Sequence, residues 1–273
     1  MNTCLKNKTV RDILVVNDDG IKSKGLVELA TLAREFGNVT VIAPATPQSG
    51  KSASITLDAP LRLKKISDTE ATDRLHAIRF FSLSGTPVDC AKMGMNLFIE
   101  EGGMPDLLLS GFNHGSNASV ASVYSGTLGA AAEGTIYGVP SLGFSINTHN
   151  LKADFAAAIY FSRKIIELYM NTGIKPGVYL NVNIPNLPQN DIKGIKMAHQ
   201  GYGRWVREFE KRTDPHKKDY YWMVGSFYDL EEAGSVRGDH KVVDDAFVSI
   251  VPHSVDNTDY EEMNRLKNIW HLE

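Results

Sequence analysis

The sequence predicts an α/β protein with a doubly wound sheet, because short apolar strands alternate with helical segments along most of the chain. The first predicted strand, residues 12–17, is a short apolar run rich in Val and Ile, which is typical of a parallel strand covered by helices on two sides. The composition agrees with a globular fold, since 42% of the residues are hydrophobic and 22% are charged. A chain of 273 residues is long enough for one large domain carrying an added element.

The first βαβ unit covers residues 12–44. Residues 12–17 are a buried-strand candidate that ends at the turn signal Asp18-Asp19-Gly20, and residues 38–44 supply a second strand. Apolar residues at helical spacing lie between them, followed by Gly37: Leu26, Leu29, Ala30, Ala33 and Phe36. A right-handed crossover with the helix packed on the sheet is expected.

The same alternation continues in the second half of the chain. Further strands are predicted at 106–111, 140–146 and 178–185, and helices at 125–138 and about 155–169. Two stretches, 61–66 and 76–85, have strand composition without an intervening helix, and we expect them to form a hairpin. The core is therefore expected over about 11–200 and 240–255.

Residues 201–225 combine aromatic and basic side chains, which is compatible with a nucleic-acid surface or with an assembly arm. Acidic residues are interleaved among the basic ones, and the net charge of the whole chain is −3. Binding to a nucleic-acid polymer requires a positively charged surface, so no nucleic-acid partner is expected. We predict an extended oligomerisation arm over about 201–235.

The chain has no run of about 18 apolar residues and no apolar signal core near its start, so neither membrane association nor export is expected. Cys4 and Cys90 are the only cysteines and do not form a CxxC pair. These features favour a cytoplasmic protein with reduced thiols.

Polar residues that follow predicted strands are the first candidates for a functional site, because open α/β sheets bind ligands beyond the carboxyl ends of their strands. Asp18 and Asp19 follow the first strand, Ser49 follows the second, and Asn113 follows 106–111. Adjacent carboxylates repel unless a cation or a proton lies between them, and oxygen ligands favour Mg²⁺, Mn²⁺ or Ca²⁺. A turn or a polar loop would also explain each of these residues. His114 is either a proton donor or a surface loop residue.

Phosphate contacts are predicted at the start of the 125–138 helix and in the loop after the second strand. Free N–H groups at Ser125, Gly126 and Thr127 favour an anion, although Ser125 is also an ordinary N-cap. The amides of Ser49 and Gly50 can form an anion nest. Gly50-Lys51-Ser52 imitates the end of a P-loop, but Ala45 stands where that motif needs glycine. The motifs GxSxG, HExxH, GxGxxG and DxD are absent, which excludes the enzyme classes that depend on them.

Several segments together resemble the SurE family of nucleotide phosphatases. They are residues 13–30, 42–56, 84–90, 105–117 and 124–134, and the similarity continues in order through 181–185, 220–225 and 242–259. It begins near Arg11 and extends almost to the end of the chain.

The resemblance implies a single SurE-like domain over 1–273, with a Rossmann-like doubly wound core, an extended hairpin arm and a swapped C-terminal segment at about 255–273. It implies a homodimer or homotetramer that hydrolyses nucleoside 5′- and 3′-monophosphates, with short polyphosphate as a side activity. The family's single divalent cation per subunit maps onto Asp18, Asp19, Ser49 and Asn113, and one of the two aspartates is the expected catalytic base.

The chain departs from the family pattern between the two site motifs. Ser119, Val120 and Ala121 replace a glycine and an acidic pair that many members carry, and Phe112 replaces isoleucine. These changes bear on substrate range, for which Tyr124 and Phe112 are the nearest aromatic residues. Two alternatives remain at this point: a receiver-like signalling module, which would require a phosphoacceptor Asp near Asn113, and a non-catalytic nucleotide-binding protein.

Overall fold

The fold is built on a nine-stranded, mostly parallel sheet. The computed structural model describes residues 11–69, 76–150, 152–232 and 238–272. The strands are β1 (Asp12–Val16), β2 (Asn38–Pro44), β3 (Leu63–Thr69), β4 (Ile78–Leu83), β5 (Leu107–His114), β6 (Ser141–Ile146), β7 (Val178–Ile184), β8 (Ile195–Met197), β9 (Gly203–Val206), β10 (Phe209–Thr213), β11 (Asp219–Met223), β12 (Ser226–Asp229) and β13 (Val248–Ser254). The order in the main sheet is β3-β4-β2-β1-β5-β6-β7-β13-β8. Strands β3 and β13 are antiparallel to their neighbours β4 and β7, and the strands between β4 and β7 are parallel.

Helices cover both faces of this sheet, as the doubly wound prediction requires. They are α1 (Lys24–Ala33), α2 (Pro87–Glu100), α3 (Ala121–Tyr124), α4 (Gly126–Ile136), α5 (Ala156–Thr172), α6 (Asp239–Asp244) and α7 (Tyr260–Trp270). Alternate residues of β1 point to opposite faces: Ile13 packs in the core with α1 and α5, and Leu14 packs in the core with α2 and α4. The predicted fold class is confirmed.

Helix α2 was not predicted, although its start carries a strong local signal. Thr86 is the N-cap and accepts a hydrogen bond from the backbone N–H of Asp89, while the Asp89 carboxylate accepts one from the backbone N–H of Thr86. Pro87 occupies the first turn, where it costs no hydrogen bond. This capping box fixes where the chain leaves β4 and turns back over the sheet.

The predicted hairpin is present, and the segment predicted as an oligomerisation arm forms an antiparallel ribbon. Strands β3 and β4 pair antiparallel, with residues 70–75 of their connection outside the described part of the chain. Residues 203–229 form a ribbon of two successive antiparallel strand pairs, in which β9 pairs with β12 and β10 pairs with β11. Every residue of β10 and β11 is exposed, so this outer part of the ribbon does not contribute to the core of the chain.

The structure also bears on the expectations about membrane association and about the cysteines. Within the described residues, no helix has both the length and the apolarity needed to cross a bilayer. Cys90 is a free and buried thiol, and burial raises its pKa well above the ordinary value. Cys4 lies outside the described residues.

Candidate metal centre and active site

The predicted site residues converge because β1 lies between β2 and β5 in the sheet. Val15 is in register with Val41 of β2, and Val16 is in register with Ser110 of β5. The loops that follow these three strands therefore emerge side by side at the carboxyl edge. This placement brings the Asp18–Asp19 turn next to Asn113 and next to the loop that carries Ser49.

A tight turn presents the acidic pair. The Asn17 side chain accepts a hydrogen bond from the N–H of Gly20 (3.2 Å) and donates one to its carbonyl (3.3 Å). Gly20 has a φ of +92°, and a Cβ there would lie 3.3 Å from the backbone of Pro44 and of Pro47, so glycine is required. The carbonyl of Asp18 accepts from the N–H of Gln48 at 2.7 Å, which anchors the residue preceding Ser49 to this turn.

Asp18 is buried, with 4% of its surface exposed. Its Oδ1 accepts a 2.6 Å hydrogen bond from the hydroxyl of Thr127 in the first turn of α4. Burial raises the pKa of Asp18 to about 6, the hydrogen bond from Thr127 opposes this rise, and the negative charge of Asp19 adds to it. Ionising Asp18 is therefore costly unless a positive charge is bound nearby.

Asp19 is held by His114 through two hydrogen bonds to a single oxygen. Both the backbone N–H and Nδ1 of His114 lie 3.1 Å from Oδ2 of Asp19. The His114 side chain is only 7% exposed and meets the ring of Phe155 edge-on, with centroids 5.5 Å apart. The alternative that His114 is a surface loop residue is therefore wrong.

Asn113, at the end of β5, is oriented in a similar way. Its side-chain amide Nδ2 donates to the carbonyl of Gly115 at 2.8 Å, and the residue is 9% exposed. Among the described residues, no donor bonds to Oδ1 of Asn113 or to Oδ1 of Asp19. Each side chain thus has one atom fixed by the protein and one oxygen left for another partner.

These oxygens form a donor set that fits a hard divalent cation. Two adjacent carboxylates and an amide oxygen are the ligand types that Mg²⁺, Mn²⁺ and Ca²⁺ prefer. Burial and the negative charge of Asp19 raise the pKa of Asp18, and a nearby cation would stabilise the ionised form of this carboxylate. The chemistry of the residues therefore fits the predicted metal.

Ser49 and Gly50 lie on an exposed loop whose far end is firmly anchored. Ser52 donates from its N–H to the carbonyl of Tyr124 (3.1 Å) and from its hydroxyl to the carbonyl of Val123 (2.6 Å). Four residues later, the N–H (3.0 Å) and hydroxyl (2.6 Å) of Thr56 donate to the Asp89 carboxylate. The anchors place this loop beside the start of α4.

The start of α4 uses its side chains internally. The Ser125 hydroxyl caps the helix by accepting from the N–H of Leu128 at 3.1 Å, and the Thr127 hydroxyl is bonded to Asp18. A phosphate contact at this helix start would therefore come from backbone N–H groups. Gly126 lies between the two, and a Cβ there would lie 2.9 Å from Pro87 and 3.0 Å from Cβ of Asp18. The close approach of α4 to the acidic pair requires glycine at this position.

The two aromatic residues considered for substrate stacking differ in exposure. Phe112 is fully buried and packs against Phe144 and Phe155, so it cannot stack on a bound base. Tyr124 is 58% exposed and directly precedes the N-cap of α4. Only Tyr124 of this pair is available to a ligand.

Ser119, one of the departures from the family pattern, has a structural role. Its N–H donates to Oδ1 of the fully buried Asp239 at 2.8 Å, and its hydroxyl donates to the carbonyl of Gly201 at 2.8 Å. Oδ1 of Asp239 also accepts from the N–H of Gly201 at 3.0 Å. The segment after β5 is thereby tied to the base of the arm.

Sequence reasoning missed the contributions of Asp89 and of the His114 ring. Asp89 could have been found from the capping pattern of Thr86 and Pro87, which marks it as a residue facing the helix start. The contact between His114 and Asp19 had no local signal, because the two residues are 95 positions apart.

Comparison with known proteins agrees with this geometry. Residues 13–207 match the family model described as Survival protein SurE. A 5′-nucleotidase SurE of Christiangramia forsetii is 39% identical over 266 residues, covering 97% of this chain and 99% of the relative. That of Chlorobium phaeobacteroides is 41% identical over 262 residues, covering 95% and 96%. The crystal structure of the SurE protein from Aquifex aeolicus superposes with a TM-score of 0.78 at 35% identity, covering 95% of this chain and 99% of that one. This chain belongs to the SurE family.

Proposed function

We propose that this protein is a divalent-metal-dependent phosphomonoesterase that hydrolyses nucleoside 5′-monophosphates to nucleoside and phosphate. The observation that carries the proposal is the meeting of an acidic pair, an oriented asparagine and a helix start at one edge of the sheet. Relatives named 5′-nucleotidase SurE, similar over almost the whole chain, support the same activity. Nucleotidases of the SurE family depend on a metal.

Asp18, Asp19, Ser49 and Asn113 would hold one cation per subunit, namely Mg²⁺, Mn²⁺ or Ca²⁺. When bound, this cation supplies Lewis-acid stabilisation of the charge on the phosphoryl oxygens. Asp18 or Asp19 takes the proton of the attacking water, since both carboxylates lie at the reacting centre. Thr127 and His114 keep the two carboxylates oriented through their hydrogen bonds.

The phosphoryl group lies between two sets of backbone amides in this proposal. One set is in the loop at Ser49 and Gly50, and the other is at Ser125, Gly126 and Thr127 at the start of α4. The positive end of the helix dipole favours the three phosphoryl oxygens as their charge develops. The anchored Ser52 keeps the two sets near each other.

The leaving nucleoside extends toward the exposed Tyr124, which offers a π-face for stacking. Stacking on one ring discriminates weakly between bases, so we expect both purine and pyrimidine nucleotides to be substrates. The 3′-monophosphates and short polyphosphate are further expected substrates, because the proposed ligands all act on the phosphoryl end.

We also propose that the protein is a cytoplasmic single-domain homodimer or homotetramer. The exposed ribbon of β10 and β11 would serve as the assembly arm, and the segment from about 255 would exchange between subunits. Every residue of α7 is exposed or half-buried, including Trp270 at 60%, and such an apolar surface favours contact with another subunit.

The test is a comparison of kcat/KM across substrates with saturating Mn²⁺ or Mg²⁺. We expect nucleoside monophosphates to exceed a sugar phosphate, and chelation with EDTA to abolish turnover. A ten-fold preference for the sugar phosphate, about 1.4 kcal/mol in transition-state binding, would overturn the nucleotidase assignment. Nucleotide binding without phosphate release would favour the non-catalytic alternative.

A further inference from the structure

We infer that His114 is a positioning residue that determines which oxygen of Asp19 faces the metal, and thereby sets the metal affinity. The inference rests on the metal site of the proposed function. It assigns a role to a side chain that neither binds the cation itself nor belongs to the predicted ligand set.

The geometry fixes the carboxylate by two donors from one residue. The backbone N–H and Nδ1 of His114 both lie 3.1 Å from Oδ2 of Asp19. An ionised carboxylate only accepts hydrogen bonds, so Nδ1 must carry the hydrogen in this contact. With Oδ2 occupied twice, rotation of the carboxylate is restricted, and Oδ1 is the oxygen left to bind a cation.

The imidazole is itself held in place. Its side chain is 7% exposed and meets the Phe155 ring edge-on. Lys24 stabilises the position of the Phe155 ring. Its ammonium lies 5.3 Å from the centre of that ring and donates to the carbonyl of Ala153 at 3.1 Å. The ring of His114 therefore has little freedom to move away from Asp19.

The two ring nitrogens of His114 differ in their hydrogen bonding, since Nδ1 contacts Asp19 and Nε2 does not contact a polar atom of the described residues. Nε2 is buried and has no hydrogen-bond partner among the residues that the structure describes. A side chain present only to pack against Phe155 would be better apolar, since a buried nitrogen without a partner costs free energy. The contact of Nδ1 with Asp19 is the polar contact that accounts for an imidazole at this position.

Three substitutions in the full-length protein separate orientation from packing. His114→Asn keeps a donor near the position of Nδ1, His114→Leu keeps side-chain volume without a donor, and His114→Ala removes the donor without adding volume. Mn²⁺ affinity is measured by isothermal titration calorimetry without substrate. We expect the dissociation constant to rise about ten-fold or more in the Leu and Ala variants and less than about three-fold in the Asn variant.

The control is His216→Leu, the same replacement at an exposed histidine in the turn of the arm. Its Mn²⁺ affinity should equal that of the unmodified protein. Wild-type affinity in both donor-free variants, or an Asn variant as weak as they are, would overturn the inference. If the unmodified protein binds Mn²⁺ but releases no phosphate from nucleotides, the proposed function fails while the role of His114 is still tested.

Discussion

The hydroxyl of Thr127 donates to Oδ1 of Asp18 across 2.6 Å, joining the first turn of α4 to the loop after β1. These residues are 109 positions apart, and the bond is fully buried. The proposed metal ligand and the helix start that would hold phosphate are therefore directly connected. A change at either residue should affect metal binding and phosphate positioning together.

Replacing Thr127 with valine should lower kcat/KM by about 10- to 100-fold, because Asp18 loses the donor that orients it. Thr127→Ser keeps the hydroxyl and should retain most of the activity. Steady-state kinetics with Mn²⁺ titration measures both variants. Equal activity of the valine and serine variants would contradict the role assigned to this hydrogen bond.

Asp18→Asn and Asp19→Asn should each reduce metal-dependent hydrolysis by about a thousand-fold or more, about 4 kcal/mol of transition-state stabilisation. The fold should persist, since neither change adds volume and both relieve the repulsion between adjacent carboxylates. Asp191→Asn, at an exposed carboxylate, is the matched control. Wild-type turnover in either site variant would rule out the proposed metal centre.

The metal-free protein should become more stable relative to Asp18→Asn as the pH falls from 7 to 4. The pKa of Asp18 is about 6 in the folded chain and 3.8 ordinarily, so the folded state binds the proton more tightly in this window. The contribution is complete below pH 3.8 and is lost as the pH rises through 6. Its upper limit is about 3 kcal/mol, since each pKa unit corresponds to about 1.4 kcal/mol. Urea unfolding of both proteins in EDTA at several pH values measures the difference, and a constant difference would contradict the prediction.

Asp89→Ala should lower the free energy of unfolding by about 2–4 kcal/mol, because three donors on Thr56 and Thr86 lose their acceptor. Burial raises the pKa of Asp89, but the hydrogen bonds from Thr56 and Thr86 outweigh it and hold that pKa below the ordinary 3.8. The stabilisation is therefore present above pH 3.8 and is lost as the pH falls through the folded-state pKa. Urea unfolding at pH 7 measures the loss, with Asp58→Ala on the exposed part of the same loop as control. Equal stability of the two variants would contradict a stabilising role for the hydrogen bonds that Asp89 accepts from Thr56 and Thr86.

Replacing residues 207–225 with Asn-Gly should lower the oligomer mass measured by light scattering. Val206 and Ser226 are paired in the ribbon, so a two-residue turn can join β9 to β12 without changing their register. Circular dichroism checks that the core remains folded. An unchanged mass would rule out assembly through β10 and β11.

The sheet and most of its helices could be predicted because each carries its own local signal. Residues 38–44 are rich in β-branched residues and predict a strand, and β2 has the same bounds. The four proposed metal ligands were located by one topological rule about strand ends, supplemented by family resemblance. Helix α2 was not predicted, although Thr86, Pro87 and Asp89 form a capping pattern that marks its start.

What could not be predicted depends on contacts between distant parts of the chain. Phe112 lies within a site motif, yet it points into the core between Phe144 and Phe155, and its neighbours in sequence do not determine that orientation. The contact of His114 with Asp19 and that of Ser119 with Asp239 form only when parts of the chain that are distant in sequence come together. Side-chain orientation at the end of a strand is a property of the assembled sheet.

The position of β13 has a consequence for synthesis on the ribosome. This strand lies between β7 and β8, so β7 keeps an open edge until residues 248–254 have emerged, more than 60 residues after β7 itself. At roughly 5–20 residues per second, the nascent chain carries that edge for several seconds, together with the exposed aromatic residues of β10 and β11. A stalled or truncated product lacking β13 would expose the unpaired edge of β7 together with the aromatic residues of β10 and β11. We expect such products to need chaperones or to aggregate.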